Sequence, residues 1–178
     1  MTLHLTPPNM QVNWLVQLLA ALVPMIVGFI WYNPKVFGNA WMKAAGMTDE
    51  KVKGGNMPLI FGVSFVMAFL LGLAYKVLAD HGTMFAAFFR PVIEHGAGID
   101  SASAFGTELK GHIDAYVARY SSWTHGLAHS MVISIVVILP IIVTNALFER
   151  KSFKYIMVNF GYWAVTLALM FMVVAQFS

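Results

Sequence analysis

Four long apolar segments dominate this chain, at 12–32, 58–79, 128–147 and 156–177. Each reaches the roughly 20 residues that an α-helix needs to cross a bilayer's ~30 Å hydrocarbon core. Inside lipid the backbone must satisfy its own hydrogen bonds, and a helix does so within one segment. The expectation is an all-α integral membrane protein: a four-helix transmembrane bundle of two antiparallel hairpins, one domain over 1–178. The composition agrees, with 59% hydrophobic and 11% charged residues, against about 25% charged in a soluble domain.

The net charge is +3 and the pI near 9.2. Nucleic acid is not an expected partner, because the basic residues sit at the ends of apolar segments rather than on one stripe. The chain has no cysteine, so disulfides and thiol chemistry are excluded. No Lys or Arg precedes the first apolar segment, and no cleaved signal peptide is expected.

The first crossing opens at Asn13-Trp14 and closes at Trp31-Tyr32-Asn33-Pro34. These rings suit the two headgroup levels. The first loop carries Lys35, Lys43, Lys51 and Lys53, and its Val36, Phe37, Trp41 and Met42 are expected along the headgroup boundary. The short third loop carries Arg150, Lys151 and Lys154. In the second loop, 80–122, Arg90, Lys110 and Arg119 are outnumbered by Asp80, Glu94, Asp100, Glu108 and Asp114. The positive-inside rule then puts both termini and the second loop on the non-cytoplasmic side. Within that loop an interfacial segment is expected at 84–89 and a Gly/Ser-rich turn at 96–103. Leu109, Ile113, Tyr116, Val117 and Tyr120 recur at helical spacing, which predicts an amphipathic interfacial helix.

Leu22-Val23-Pro24-Met25-Ile26-Val27 resembles Ile138-Leu139-Pro140-Ile141-Ile142-Val143, and the match continues without a gap to Lys35 with Lys151 and Phe37 with Phe153. A parallel repeat of two hairpins is one reading; chance similarity among apolar segments is the other. Each proline frees the carbonyl four residues earlier, at Ala20 and Val136, and a kink is expected there. Ser64, Ala68 and Gly72 form a small-residue stripe for close helix packing, within the chain or with a partner. Lys76 is expected to snorkel to the surface.

The histidines are His4, His81, His95, His112, His125 and His129, all expected at or beyond the outer interface. His125 and His129 share one helix face at i, i+4, a spacing that can hold a metal ion. The plainer reading is anchoring at headgroup level, since the pair lacks the glutamate of the helical zinc motif. Glu108 and His112 make a second i, i+4 pair that could complete such a site. Asn13, Gln17 and Gln176 are expected in an outer polar cluster, and Asn145, Glu149 and Asn159 in an inner one, with Glu149 ion-paired to its basic neighbours. No acid lies at the centre of a crossing, which argues against an ion-coupled pump. No nucleotide, hydrolase or zinc-protease motif is present, and no cofactor is expected.

Asn13-Trp14, Gly28-Phe29-Ile30-Trp31-Tyr32-Asn33-Pro34 and Phe37-Gly38-Asn39-Ala40-Trp41-Met42 with Gly46 resemble a bacterial membrane family, domain of unknown function 1761. The similarity returns at His125-Gly126-Leu127-Ala128-His129, at Thr144-Asn145-Ala146-Leu147-Phe148-Glu149-Arg150 and at Gly161-Tyr162. It covers most of the chain except the second loop. The family has no established activity, so the resemblance implies a small multi-pass protein of the bacterial inner membrane and no catalytic residue. The leading expectation is a non-enzymatic accessory or scaffold subunit, in contact with the bilayer and with other membrane subunits or a second copy. A small transporter or ligand binder and a metal-dependent activity at the outer face are the alternatives.

Overall fold

The computed structural model describes residues 12–79, 81 and 104–177. The segments expected at 84–89 and 96–103 lie outside them, as do His4, His95, Asp80, Arg90, Glu94, Asp100 and the side chains of Leu109, Lys110, Ile113, Asp114 and Val117. The described chain is all helical. Helix α1 is Trp14–Trp31, α2 Asn39–Ala45, α3 Asp49–Lys53, α4 Met57–Leu78, α5 Ala104–Tyr120, α6 Trp123–Phe148 and α7 Phe153–Phe177. Among the described residues, α1, α4, α6 and α7 are long and apolar enough to cross a membrane. Their outward faces carry large exposed apolar side chains such as Phe29, Leu59, Val136 and Phe153, as lipid contact requires.

Each of these four helices starts on a polar cap, which satisfies a backbone N–H that the first turn leaves unpaired. Asn13 Oδ1 accepts from Val16 N at 3.3 Å, Asn56 Oδ1 from Leu59 N at 3.2 Å, Ser122 Oγ from His125 N at 3.3 Å and Ser152 Oγ from Tyr155 N at 3.3 Å. Ser122 and Ser152 explain why α6 and α7 begin ahead of the apolar runs that announce them. The two prolines act differently. Helix α1 runs as α-helix across Pro24. Helix α6 opens into a π-helical turn at Ser134–Ile138, where Leu139 N donates to Ser134 O, immediately before Pro140. Pro140 offers no N–H, and the wider turn absorbs the mismatch.

Helix α7 is the spine of the bundle and packs on α1, α4 and α6. Helix α1 runs antiparallel to it: Asn13 Nδ2 donates to Phe177 O at one end, and Trp31 Nε1 donates to Val158 O at the other. Leu167, Met170, Phe171 and Val174 of α7 are fully buried, against Val16 and Ala20 of α1, Tyr75 of α4 and the α4 cap residue Ala79. The packed core therefore lies in one half of the bundle, where α1 and α6 start and α4 and α7 end. The basic loops occupy the opposite end. There Phe37 packs at a tilt against Trp31 at 4.5 Å, Trp41 meets Tyr32 at 5.4 Å, and Lys151 Nζ donates to Ala45 O at 2.9 Å. Phe37 and Trp41 of the first loop thus fold back on the bundle, whereas Val36 stays exposed.

Two expectations change and a third narrows. The gapless match between the hairpins does not reach their second helices: Phe153 opens α7, whereas Phe37 lies in a π-helical turn at Pro34–Gly38 and α4 begins only at Met57. The Ser64/Ala68/Gly72 stripe does pack helices closely, but within the chain rather than on a partner. Ala68 and Gly72 are buried, and Gly72 faces Gln17 of α1 and Met170 of α7, so the chain's own helices cover it. Lys76 does not reach the surface. It is 9% exposed and has an interaction partner, because it shares the inward face of Gly72, Tyr75 and Ala79.

Candidate metal centre

Antiparallel packing brings the end of α4 beside the start of α6. His81 follows the α4 cap residue Ala79, and His125 and His129 stand one turn apart on α6. The three rings converge. Their centroids lie 4.6 Å apart for His81 and His125, 5.1 Å for His81 and His129, and 4.4 Å for His125 and His129. One ring nitrogen from each falls within 4.8 Å of the others, and all three side chains are half-buried.

Their hydrogen bonds fix which nitrogens are free. His125 Nε2 lies 3.2 Å from Ala79 O. A carbonyl only accepts, so Nε2 carries the proton and Nδ1 keeps its lone pair. His81 Nε2 stands 3.1 Å from His129 Nε2, and His81 Nδ1 stands 3.3 Å from the Tyr116 hydroxyl of α5. Tyr120, one turn further along α5, stacks on His81 at 4.8 Å and meets His125 at 5.1 Å. Two nitrogens on one tetrahedral zinc stand roughly 3.3 Å apart, given Zn–N bonds of about 2.0–2.1 Å. The His81–His129 separation is close to that value, and a ring nitrogen of His125 lies within 4.8 Å of both partners. A metal-bound imidazole usually gives its second N–H to a carbonyl or similar acceptor. Ala79 O serves His125 in this way, and the Tyr116 oxygen is placed to serve His81.

Glu108 and His112 pair with each other at 3.8 Å, at 73% and 78% exposure. Among the described residues they do not join the three-histidine group. The residue that completes it is His81, with the Tyr116 hydroxyl and the Ala79 carbonyl as outer hydrogen-bond partners; the Tyr120 ring only packs against the imidazoles. The signal was topological: a histidine just past the end of one crossing faces the start of an antiparallel one.

The expected polar clusters divide. Asn13 bonds the α7 terminus, and Gln176 Oε1 accepts from Trp123 N at 3.3 Å. Gln17 is fully buried beside Gly72, and neither amide atom has a partner. At the basic end Asn159 Nδ2 donates to Tyr155 O at 2.8 Å, and its Oδ1 accepts from Tyr32 OH at 3.2 Å. It turns toward α1, away from Asn145 and Glu149, which are exposed. Lys151, which was expected to pair with Glu149, instead donates to Ala45 O. Tyr162 OH donates to Pro24 O at 3.1 Å, with Gly28 against its ring and Gly161 against Trp31. The motif residues Gly28, Trp31, Tyr32, Gly161 and Tyr162 are thus the α1–α7 seam.

No curated protein and no solved structure matches the chain. The sequence model of a family described as "Protein of unknown function (DUF1761)" matches residues 15–175, a range that holds the seam and the three histidines, and the chain belongs to that family.

Proposed function

We propose that this is a metal-binding membrane protein that holds a divalent first-row ion, zinc foremost, through His81, His125 and His129 on the non-cytoplasmic side of a bacterial inner membrane. One observation carries the reading. Three imidazoles from two separate parts of the chain converge within 4.8 Å, and two of them have outer hydrogen-bond partners of the kind that orient metal ligands. Imidazole suits zinc, copper, nickel and iron among the first-row metals. The basic loops at the far end of the bundle support the orientation. The accessory-subunit reading draws less support from the small-residue stripe, since α1 and α7 of the same chain pack on it.

The test is zinc titration of the protein purified in mild detergent. One zinc per chain is expected, with binding lost in His81→Ala, His125→Ala and His129→Ala at unchanged melting temperature without metal. Wild-type protein that takes up no stoichiometric zinc, or three variants that bind like wild type, would overturn the reading.

A further inference from the structure

We infer that metal binding and the docking of α5 are coupled through Tyr116, which acts as a positioning residue for His81; this rests on the metal reading above. His81 Nε2 points at His129 Nε2 at 3.1 Å, and its Nδ1 points at the Tyr116 hydroxyl at 3.3 Å. To bind a metal, Nε2 must present its lone pair. The ring proton then sits on Nδ1 and is donated to the Tyr116 oxygen.

Tyr116 lies 35 residues from His81 in sequence, on a different element. It belongs to the same α5 face as Tyr120, four residues on, and both rings rest on His81. The face that seats α5 against the bundle is therefore the face that sets the tautomer of a ligand. Without metal, His81 can carry its proton on either nitrogen, and the Tyr116 hydroxyl can donate or accept. With metal on Nε2, the His81 proton stays on Nδ1, and in the bond to α5 the Tyr116 oxygen is the acceptor. Linkage makes the effect reciprocal: by whatever factor metal favours docked α5, docked α5 favours metal.

Tyr116→Phe isolates this effect, because it keeps the ring and deletes only the hydroxyl. Loss of an outer-shell partner typically weakens a metal site by about 10–100-fold, so zinc should bind Tyr116→Phe at least about tenfold more weakly than wild type. Tyr120→Phe is the control, since its ring makes the contacts, and it should bind zinc like wild type. Hydrogen exchange in detergent gives the second readout. Adding zinc should slow amide exchange across 104–120 in wild type and Tyr120→Phe, and do so much less in Tyr116→Phe at equal zinc. Zinc bound by wild type with no change in exchange across 104–120, or Tyr116→Phe binding as tightly as wild type, would overturn the coupling and leave the metal site standing. Wild type that binds no zinc would overturn both.

Discussion

His81 and His129 face each other Nε2 to Nε2 at 3.1 Å across 48 residues of sequence. The contact joins the end of α4 to the start of α6 at the end of the bundle where the apolar core is densest. A tightly packed floor beneath half-buried imidazoles holds the ring-bearing backbones in place, which a metal site needs if its ligands are to be preorganised. Chemistry and rigidity therefore share one end of the molecule, and the basic loops take the other.

Gly126, between the two α6 histidines, sets how closely α6 approaches α7. A Cβ there would stand 2.7 Å from the Phe171 carbonyl carbon and 2.9 Å from Ala175 Cβ. Backbone cannot yield as a flexible side chain does. Gly126→Ala is expected to cost about 1–3 kcal/mol through overpacking and to lower the melting temperature in detergent. Gly62→Ala, where nothing lies within 4 Å, should be neutral or gain up to about 1 kcal/mol from helix propensity.

Arg150 has a φ of 54°, the one described non-glycine residue in the left-handed region. It ends α6 in a Schellman arrangement, with Lys151 N donating to Ala146 O at 2.8 Å and Arg150 N to Leu147 O at 3.1 Å. Helix α2 ends in the same region on a glycine, Gly46, at φ 72°. A side chain pays roughly 1–2 kcal/mol for this conformation. Arg150→Gly should therefore stabilise the protein by about 1 kcal/mol, and Gly46→Ala should destabilise it by a similar amount. Thermal unfolding of both variants in one detergent checks the opposite signs.

Since the chain has no cysteine, single cysteines report topology cleanly. Gly111→Cys on the exposed face of α5 should react with an impermeant thiol reagent in intact cells, whereas Lys51→Cys in α3 should react only after lysis. The reverse pattern would turn the protein over and place the histidines on the cytoplasmic side.

The four crossings were legible because length and hydropathy alone decide them, but the starts of α6 and α7 were read several residues late, because their caps Ser122 and Ser152 lie outside the apolar runs. Half of the candidate site was legible too. His125 and His129 are neighbours on one helix by local periodicity, which needs no tertiary information. His81 was visible as a residue but not as a partner, because its closeness to His129 depends on how α4 packs beside α6. Tyr116 and Tyr120 read as the apolar face of an interfacial helix, and their rings do serve as packing surface; their polar role depends on what they pack against. Lys76 misled for the same reason. A lysine near a helix end snorkels when it faces lipid, and this one faces inward.

X-ray absorption at the zinc edge, on wild-type protein loaded with one equivalent of zinc, tests the metal reading most directly. Nitrogen donors at roughly 2.0–2.1 Å are expected, with the multiple-scattering pattern of three imidazoles, and that pattern should be lost in His81→Ala. An all-oxygen shell without imidazole scattering, or a spectrum unchanged in His81→Ala, would contradict the metal reading.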